Sequence, residues 1–346
     1  MSKAAELAAL IGSQTALSNR NLIINGEMNI NQRGTQTGVY TSTYGVDRFV
    51  IGGSGSQRLT YSQSTTVPSG QGFSHSLKLD VTTADTSVAA SDYEILSHRF
   101  EGQDLQHLKY GTSGAKSLTL QFWVRSPKTG IHIVEIQHAD AGYINPQPYT
   151  IASANTWQKV EVTFDGYQTT AITDDNTLGF LINWWLMAGS NYSGGTLTAN
   201  TWHNTTANRA AGQVNVMDST SNEFYLTGVQ LEVGEQATAF EHRSIGDEMA
   251  RCQRYYFRSV CETSLAYYAD SYSNDTITLT AMFPVKMRAK GAGSLIGTWT
   301  LSNCANQPSL TVHTPDSVAM STSVSSTGRA FFHAAVNDGF EIDAEL

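Results

Sequence analysis

Short segments in which polar and apolar residues alternate follow one another along most of this chain. A period of two is typical of strands with one buried face, because successive side chains of a strand point to opposite sides. In 117–125 the apolar side chains share one face, namely Leu118, Leu120, Phe122 and Val124. Equivalent strands are predicted at 57–62, 75–82, 92–100, 131–138, 157–164, 178–187 and 222–232. No helical pattern alternates with them, so we expect an all-β protein built around a β-sandwich.

Two segments have helical periodicity, and they divide the chain. Residues 3–18 place Leu7 and Ile11 on one apolar stripe, and residues 245–257 begin with acidic residues that suit a helix N-terminus. Further strands are predicted at 265–272, 275–283, 294–302, 309–313, 317–324, 328–336 and 339–345. The predicted organisation is an attachment helix in 1–20, a large β-domain in 21–244, a linker helix in 245–258 and a smaller β-domain in 259–346.

The composition excludes several classes of function. Only 15% of the 346 residues are charged and the net charge is −9, so we expect no basic surface that attracts nucleic acid. No apolar run approaches the roughly 20 residues of a membrane span, and residues 1–12 lack the pattern of a secretory signal. We therefore expect a protein that folds in a cytoplasm, inserts into no membrane and keeps its 3 cysteines reduced.

Part of the chain resembles the jelly-roll carbohydrate-binding modules found beside glycoside hydrolases. The similar segments are SHSLKL at 74–79, LTLQFWVRS at 118–126 and NTWQKV at 155–160. FYLTGVQLE at 224–232 looks like the terminal strand of these modules, which usually carries an aspartate that helps to hold a structural calcium. Thr227 and Gly228 stand in that stretch here. The resemblance therefore implies a jelly-roll sandwich, and no cofactor is predicted.

A second resemblance extends over most of the chain. NLIINGEMNINQRG at 21–34, VDRF at 46–49 and the long segment at 226–258 are similar to parts of many structural and fibre-like proteins of tailed phages. FPVKMR at 283–288 and GFEIDAEL at 339–346 resemble the C-terminal domain of the same family. The resemblance implies a virion protein assembled in the host cytoplasm, with tail or capsid proteins as partners. Fibre proteins as a class are trimeric, so a homotrimer is expected.

We find no known catalytic motif, and we expect a protein that is not an enzyme. Glycoside cleavage needs two carboxylates about 5–9 Å apart across a cleft. Glu94 and Glu101 have an odd spacing that predicts opposite faces of one strand, and Asp174-Asp175 reads as a turn with an Asx hydrogen bond. His132 and His138 lie about 20 Å apart along a strand, too far to share a metal ion, and are predicted at the surface.

Aromatic residues give the best lead to a binding function, because sugar rings stack their C–H faces on aromatic side chains. Aromatic and polar candidates cluster before and within the polar stretch 189–213, namely Asn183, Trp184, Trp185, Tyr192, Trp202 and His203. Adjacent strand residues face opposite ways, so one of the two neighbouring tryptophans must leave the core or lie under the loop. Glycan binding, core packing of both tryptophans and a subunit interface all stay open.

Other aromatic residues have separate predictions. Trp123 and Trp157 lie in strands and are predicted to pack in the core. Tyr143 and Tyr149 flank Asn145-Pro146-Gln147-Pro148, which predicts a second exposed loop with aromatic residues.

Subunit contacts are predicted at the two helices, where tyrosine and arginine suit an interface. The candidates are Leu7, Ile11, Arg251, Arg254 and Tyr255. The leading function is that of a non-enzymatic virion protein, a tail fibre or receptor-binding component that binds host surface glycans. The alternatives are a capsid decoration or head-fibre protein and, from a different class, a glycan-degrading enzyme.

Overall fold

The chain forms two compact units, Met1–Ile245 and Gly246–Leu346. The structure, a computed structural model, describes residues 19–262, 268–271, 275–326 and 328–346. The helix predicted at 3–18, with Leu7 and Ile11, lies outside the described residues. Within the described ranges no helix is long and apolar enough to cross a membrane.

The first unit is a jelly-roll β-sandwich, as the sequence predicts. Its strands are β1 (Gln36–Val39), β2 (Thr43–Tyr44), β3 (Phe49–Ser54), β4 (Arg58–Ser64), β5 (Ser76–Thr83), β6 (Tyr93–Glu101), β7 (Leu118–Arg125), β8 (Gly130–His138), β9 (Tyr143–Ile151), β10 (Gln158–Phe164), β11 (Leu178–Ala188) and β12 (Glu223–Val233). They form two 6-stranded sheets, sheet A in the order β1-β4-β5-β12-β7-β10 and sheet B in the order β2-β3-β6-β11-β8-β9. Short helical segments lie between strands at Gly102–Leu108, Ser190–Ser193, Thr206–Asn208 and Val216–Asp218.

The core lies between the facing sides of sheets A and B. Phe122 of β7 and Trp184 of β11 are fully buried, and their ring centroids lie 5.8 Å apart across the sandwich. Burying one large apolar side chain stabilises the fold by roughly 1.5–3 kcal/mol. The core prediction for Trp123 and Trp157 was wrong, because both are only half-buried. Trp123 follows Phe122 directly, so the alternation of the strand turns its ring to the outer face of sheet A.

Strand β9 replaces the exposed loop predicted around Tyr143 and Tyr149. It is the edge strand of sheet B, a position that tolerates Pro146 and Pro148 because one side of an edge strand needs no ladder hydrogen bonds. Tyr149 is buried, and its ring stacks on His132 with centroids 5.5 Å apart. The prediction of an aromatic loop here was therefore wrong.

His132 and His138 are buried in the core, which corrects the surface prediction. Their even spacing puts both on the core-facing side of β8. Each Nε2 lies 3.0 Å from a backbone carbonyl oxygen, that of Lys128 for His132 and that of Thr170 for His138. Burial lowers the pKa of His132 to about 4 and also lowers the pKa of His138. Both imidazoles are therefore neutral at pH 7.

The second unit is a smaller β-domain that begins with the helix Ile245–Gln253. Its strands are β13 (Tyr256–Val260), β14 (Tyr268–Ser271), β15 (Thr276–Met282), β16 (Ala292–Ile296), β17 (Thr300–Ser302), β18 (Ser309–Thr314), β19 (Ser317–Ser323), β20 (Ala330–His333) and β21 (Gly339–Asp343). They pair as three 3-stranded antiparallel sheets, β13-β21-β16, β14-β20-β17 and β15-β19-β18. The buried side chains of this unit include Phe257, Trp299, Phe332 and Phe340.

The helix of the second unit is shorter than predicted, because Tyr256 already begins β13. Arg251 remains on the helix and pairs with Asp247 at 3.5 Å, one turn earlier. Arg254 follows the helix, and its carbonyl oxygen accepts a hydrogen bond from the backbone N–H of Arg288. Tyr255 is 1% exposed, which differs from the accessible surface expected of a subunit-interface residue.

Candidate functional site

A row of hydrogen-bonded side chains crosses the outer face of sheet B. The strand register pairs Asn183 of β11 with Ser97 of β6 on one side and with Glu135 of β8 on the other. Ser97 Oγ donates to Asn183 Oδ1 (2.5 Å), and Asn183 Nδ2 donates to Glu135 Oε1 (2.9 Å). All three residues are buried. Because buried polar groups are costly without partners, these hydrogen bonds fix the three side chains of the neighbouring strands relative to one another.

Arg209 of the long loop after β11 compensates the charge of Glu135. Its Nε lies 3.2 Å from each carboxylate oxygen, and its Nη2 also donates to Oε1. Burial disfavours the charged guanidinium, but Glu135 outweighs it and raises the pKa of Arg209 above its ordinary value. The guanidinium carbon lies 5.0 Å from the centroid of the Trp185 ring, within cation–π range. Charge pairing and ring contact together attach the loop to the sheet.

Three aromatic rings form a cluster beside Arg209. Tyr192 of the loop lies 5.2 Å from Tyr93 and 5.5 Å from Trp185, measured between ring centroids. Trp185 is 1% exposed, whereas the two tyrosines are half-buried. Burial also raises the pKa of Tyr93, so its phenol stays protonated and can donate a hydrogen bond at neutral pH. Trp185 is thus the buried floor, and the two tyrosines present partly exposed rings to solvent.

These groups line a shallow cavity of about 250 Å³ on the outer face of sheet B. Ser97, Arg99 and Gln137 lie on its walls with the aromatic cluster. The cavity therefore combines aromatic faces with hydroxyl, amide and guanidinium groups. Such a combination suits a ligand that has apolar C–H faces and hydroxyl groups on its edges.

The structure brings together only part of the predicted aromatic group. Asn183, Trp185 and Tyr192 lie at the cavity. Trp184 points into the core, with its ring centroid 6.2 Å from that of Phe49. The prediction that one of the adjacent tryptophans lies under the loop is confirmed by Trp185, which Arg209 and Tyr192 contact.

Trp202 and His203 lie outside the cavity lining. The Trp202 ring centroid lies 5.1 Å from that of Tyr167, and its Nε1 donates to the carbonyl oxygen of Asp165. His203 forms an antiparallel bridge with Ile144, and burial lowers the pKa of its imidazole. Both residues hold the loop against the rest of the unit.

Sequence reasoning missed several residues of the cavity. Tyr93, Ser97 and Arg99 share one face of β6 with Ile95, and this common face was a signal that could have grouped them. Glu135 and Arg209 offer no such signal. They are 74 positions apart, and only the folded chain brings the two charges together.

The carboxylates considered for glycoside cleavage lie elsewhere. Glu94 and Glu101 are buried and accept hydrogen bonds from the side-chain amides of Gln57 and Gln103, respectively. Burial raises the pKa of Glu94 well above its ordinary value. Asp175 Oδ1 accepts hydrogen bonds from both the backbone N–H and the hydroxyl of Thr177, which confirms the predicted Asx turn.

The residues at the place of the modules' structural calcium do not fit such a site. Thr227 is fully buried, and its hydroxyl donates to the carbonyl oxygen of His75 at 2.7 Å. Gly228 has no side chain that could bind a cation. In the part of the chain that the structure describes, no group of three or more His, Cys, Asp or Glu residues is placed to hold a metal ion.

No family model and no curated protein matches the sequence. Solved structures do match it, among them the enzymatically active domain of tailspike protein 4 of bacteriophage CBA120. That match has 13% identity and a TM-score of 0.34 over 62% of this chain, and it spans only 22% of the tailspike chain.

Carbohydrate-binding modules are also among the matches. TmCBM61, solved in complex with β-1,4-galactotriose, has 10% identity and a TM-score of 0.31 over 62% of this chain and 100% of that chain. The family 11 module of cellulase Lic26A-Cel5E of Clostridium thermocellum has 13% identity and a TM-score of 0.27 over 58% of this chain and 97% of that chain. At such values the fold assignment rests on the strand order itself, and function must be argued from the site.

Proposed function

We propose that this chain is a non-enzymatic virion protein of a tailed phage, a tail-fibre or receptor-binding component whose jelly-roll unit binds host surface glycans. The observation that carries glycan binding is the cavity on the outer face of sheet B, where Tyr93 and Tyr192 present partly exposed rings above Trp185. The virion role is supported by the resemblance of 21–34 and 226–258 to phage structural proteins.

The proposed mode of binding uses stacking and hydrogen bonds. A pyranose ring would lie against the faces of Tyr93 and Tyr192, where its C–H groups contact the aromatic rings. Gln137 and Arg99 line the same cavity and offer N–H groups to ring hydroxyls. Because Glu135 and Arg209 hold the loop in place before any ligand arrives, little ordering entropy would be lost on binding.

The absence of hydrolysis is part of the proposal. Glu135 is linked to the aromatic cluster through its pair with Arg209, and it is fully buried and already accepts a hydrogen bond from Asn183. A general acid and a nucleophile must both reach the glycosidic bond, and Glu94 and Glu101 are buried as well. The support for a binding protein is therefore a cavity with stacking rings and no exposed pair of acids among the lining residues.

The test of the glycan site is a glycan array followed by isothermal titration calorimetry with the strongest hit. We expect the double variant Tyr93→Ala/Tyr192→Ala to bind at least tenfold more weakly, which is about 1.4 kcal/mol. Trp157→Ala is the matched control, because this tryptophan packs against Tyr225 outside the cavity lining, with ring centroids 6.1 Å apart, and its loss should leave the affinity within twofold. Equal affinity of the double variant and the natural chain would refute the site.

The test of the virion role is imaging of intact particles at sub-nanometre resolution. Density for this chain at the tail, with three copies around an axis, is the expected result. Density repeated over the capsid would contradict the role as a tail fibre and would support a capsid decoration or head-fibre protein instead. Shortening of a bound polysaccharide by the purified chain would overturn the non-enzymatic part of the proposal.

A further inference from the structure

A β-bulge opens the outer face of sheet A. The register between β12 and β7 shifts between Thr227 and Gln230, and Gly228 within this shift has a φ of +60°. A Cβ atom at Gly228 would lie 2.6 Å from the Phe73 ring and 3.0 Å from that of Trp123. Only glycine adopts this conformation freely and also lets both rings approach the backbone.

The segment 234–242, which follows β12 and crosses the outer face of sheet A, supplies a further aromatic wall. Phe240 lies 5.1 Å from Phe73, and His242 lies 5.7 Å from Phe73 and 5.0 Å from Phe240, measured between ring centroids. Buried polar side chains of β12 hold the segment. Glu232 accepts hydrogen bonds from the backbone N–H and the hydroxyl of Thr238, both at 2.7 Å. The wall is thus part of the fold.

The bulge and the crossing segment enclose a cavity of about 380 Å³, which is within the size range of small-molecule sites. Gln121 of β7 lines it and is 2% exposed. Its Nε2 donates to the carbonyl oxygen of Thr238 at 2.9 Å, while its Oε1 has no hydrogen-bond partner. A buried acceptor without a partner is costly, so this amide oxygen is a place where a ligand O–H group would be favourable.

We propose that this pocket is a second binding site, which takes a single neutral pyranose ring. The walls of Phe73, Phe240 and Trp123 match the C–H faces of the ring, and Gln121 Oε1 accepts a hydrogen bond from one of its hydroxyl groups. Lys159 at the edge of the pocket is paired with Glu161 at 2.5 Å, so the pocket offers no uncompensated positive charge that would select an acidic sugar.

The second site is independent of the one proposed on sheet B. The two cavities lie on the outer faces of opposite sheets, so one sugar ring cannot occupy both. A jelly-roll unit with both sites binds two separate glycan chains. Either site can fail without consequence for the other, and the experiment below is designed to separate the two.

The experiment is saturation-transfer difference NMR on the full chain, with the methyl glycosides of glucose, galactose, mannose and N-acetylglucosamine as probes. The background is the Tyr93→Ala/Tyr192→Ala variant, in which the cavity on sheet B is disabled. We expect saturation transfer to at least one probe, reduced at least tenfold by the further change Phe240→Ala. Trp157→Ala is the matched control, because this half-buried tryptophan lies outside the pocket lining and its loss should leave the signal unchanged.

Two results would overturn the second site: no transfer to any of the four probes in this background, or a signal that survives Phe240→Ala. A second readout needs no further mutation and therefore does not depend on whether the Phe240→Ala variant folds. The side-chain amide resonances of Gln121 should shift when the bound probe is added. A probe that binds without moving them occupies another place, and the proposal is then wrong.

Discussion

The two outer faces of the jelly-roll unit present aromatic rings by different means. On sheet B, a buried ion pair between Glu135 and Arg209 holds a long loop over Trp185. On sheet A, a bulge at Gly228 brings Phe73 and Trp123 against the backbone. Sheet A also has ion pairs, but they are more exposed: Lys159 pairs with Glu161 within one strand, and Lys78 pairs with Glu223 between two strands.

This difference shows that one fold can position a candidate binding surface through side-chain charge or through backbone conformation. Removing one partner of a buried ion pair leaves an uncompensated charge, so sheet B should be sensitive to changes of charge. A bulge depends on the conformation of one residue, so sheet A should be sensitive to the addition of a Cβ atom. The predictions below test this contrast, beginning with the largest expected effect.

Glu135→Ala should lower the free energy of unfolding of the first unit by about 3–5 kcal/mol, because Arg209 and Asn183 lose their buried partner. Urea unfolding followed by tryptophan fluorescence measures this change. Glu161→Ala is the matched control on sheet A and should cost less than about 1 kcal/mol, since its pair is exposed. Similar costs for the two variants would contradict the contrast between the faces.

Acid should destabilise the core that the two faces share. The pKa of His132 is about 4 in the folded chain, whereas an imidazole in an unfolded chain titrates near about 6.5. The contribution of His132 to the free energy of unfolding is therefore fully present above pH 6.5. It decreases by about 3 kcal/mol in total as the pH falls towards 4. Burial also lowers the pKa of His98 and His138, which adds to the loss in the same direction.

Unfolding measured at pH 7, 5.5 and 4 tests the acid effect. His132→Gln should have a weaker dependence on pH than the natural chain, whereas His107→Gln, at an exposed position, should keep the full dependence. Both binding faces should lose affinity together on acidification, because the effect acts on their common core. Identical pH profiles of the two variants would contradict the role of His132.

Gly228→Ala should cost about 2–3 kcal/mol, since it adds backbone strain at positive φ and a collision with Phe73. Gly142→Ala is the control, because Gly142 has a φ of +69° but open space around its Cβ position. This control should show the strain alone, about 1 kcal/mol. Binding on sheet A should fall in Gly228→Ala while binding on sheet B stays within twofold, and a loss on both faces would show that the bulge also supports sheet B.

Lys159→Ala should have the smallest effect. The exposed pair with Glu161 contributes less than about 1 kcal/mol, and a neutral sugar does not need the ammonium group. Titration of the pocket on sheet A with the methyl glycosides should give the same affinity within twofold. A tenfold loss would indicate that the pocket takes an anionic ligand instead.

The sequence predicts strands best where the alternation is regular. β6, β7 and β11 begin and end within one residue of their predicted bounds. Strand β9 escaped prediction because Pro146 and Pro148 imitate a loop, and only its edge position makes them tolerable. The buried state of His132 and His138 was also missed, because a polar residue on the apolar face of β8 gives no local sign that a backbone carbonyl will accept its hydrogen bond.

The sequence by itself determined the all-β architecture and, in strands with regular alternation such as β7, which residues share a face, because alternation is a local property of the backbone. It placed Trp184 and Trp185 on opposite sides for this reason. Only the tertiary structure decided which residues form the candidate sites. Arg209 reaches Glu135 from 74 positions away. The Oε1 of Gln121 is buried without a hydrogen-bond partner only because the segment with Thr238 crosses the strand of Gln121. Such contacts depend on how the chain returns over its own sheets, and no local pattern encodes them.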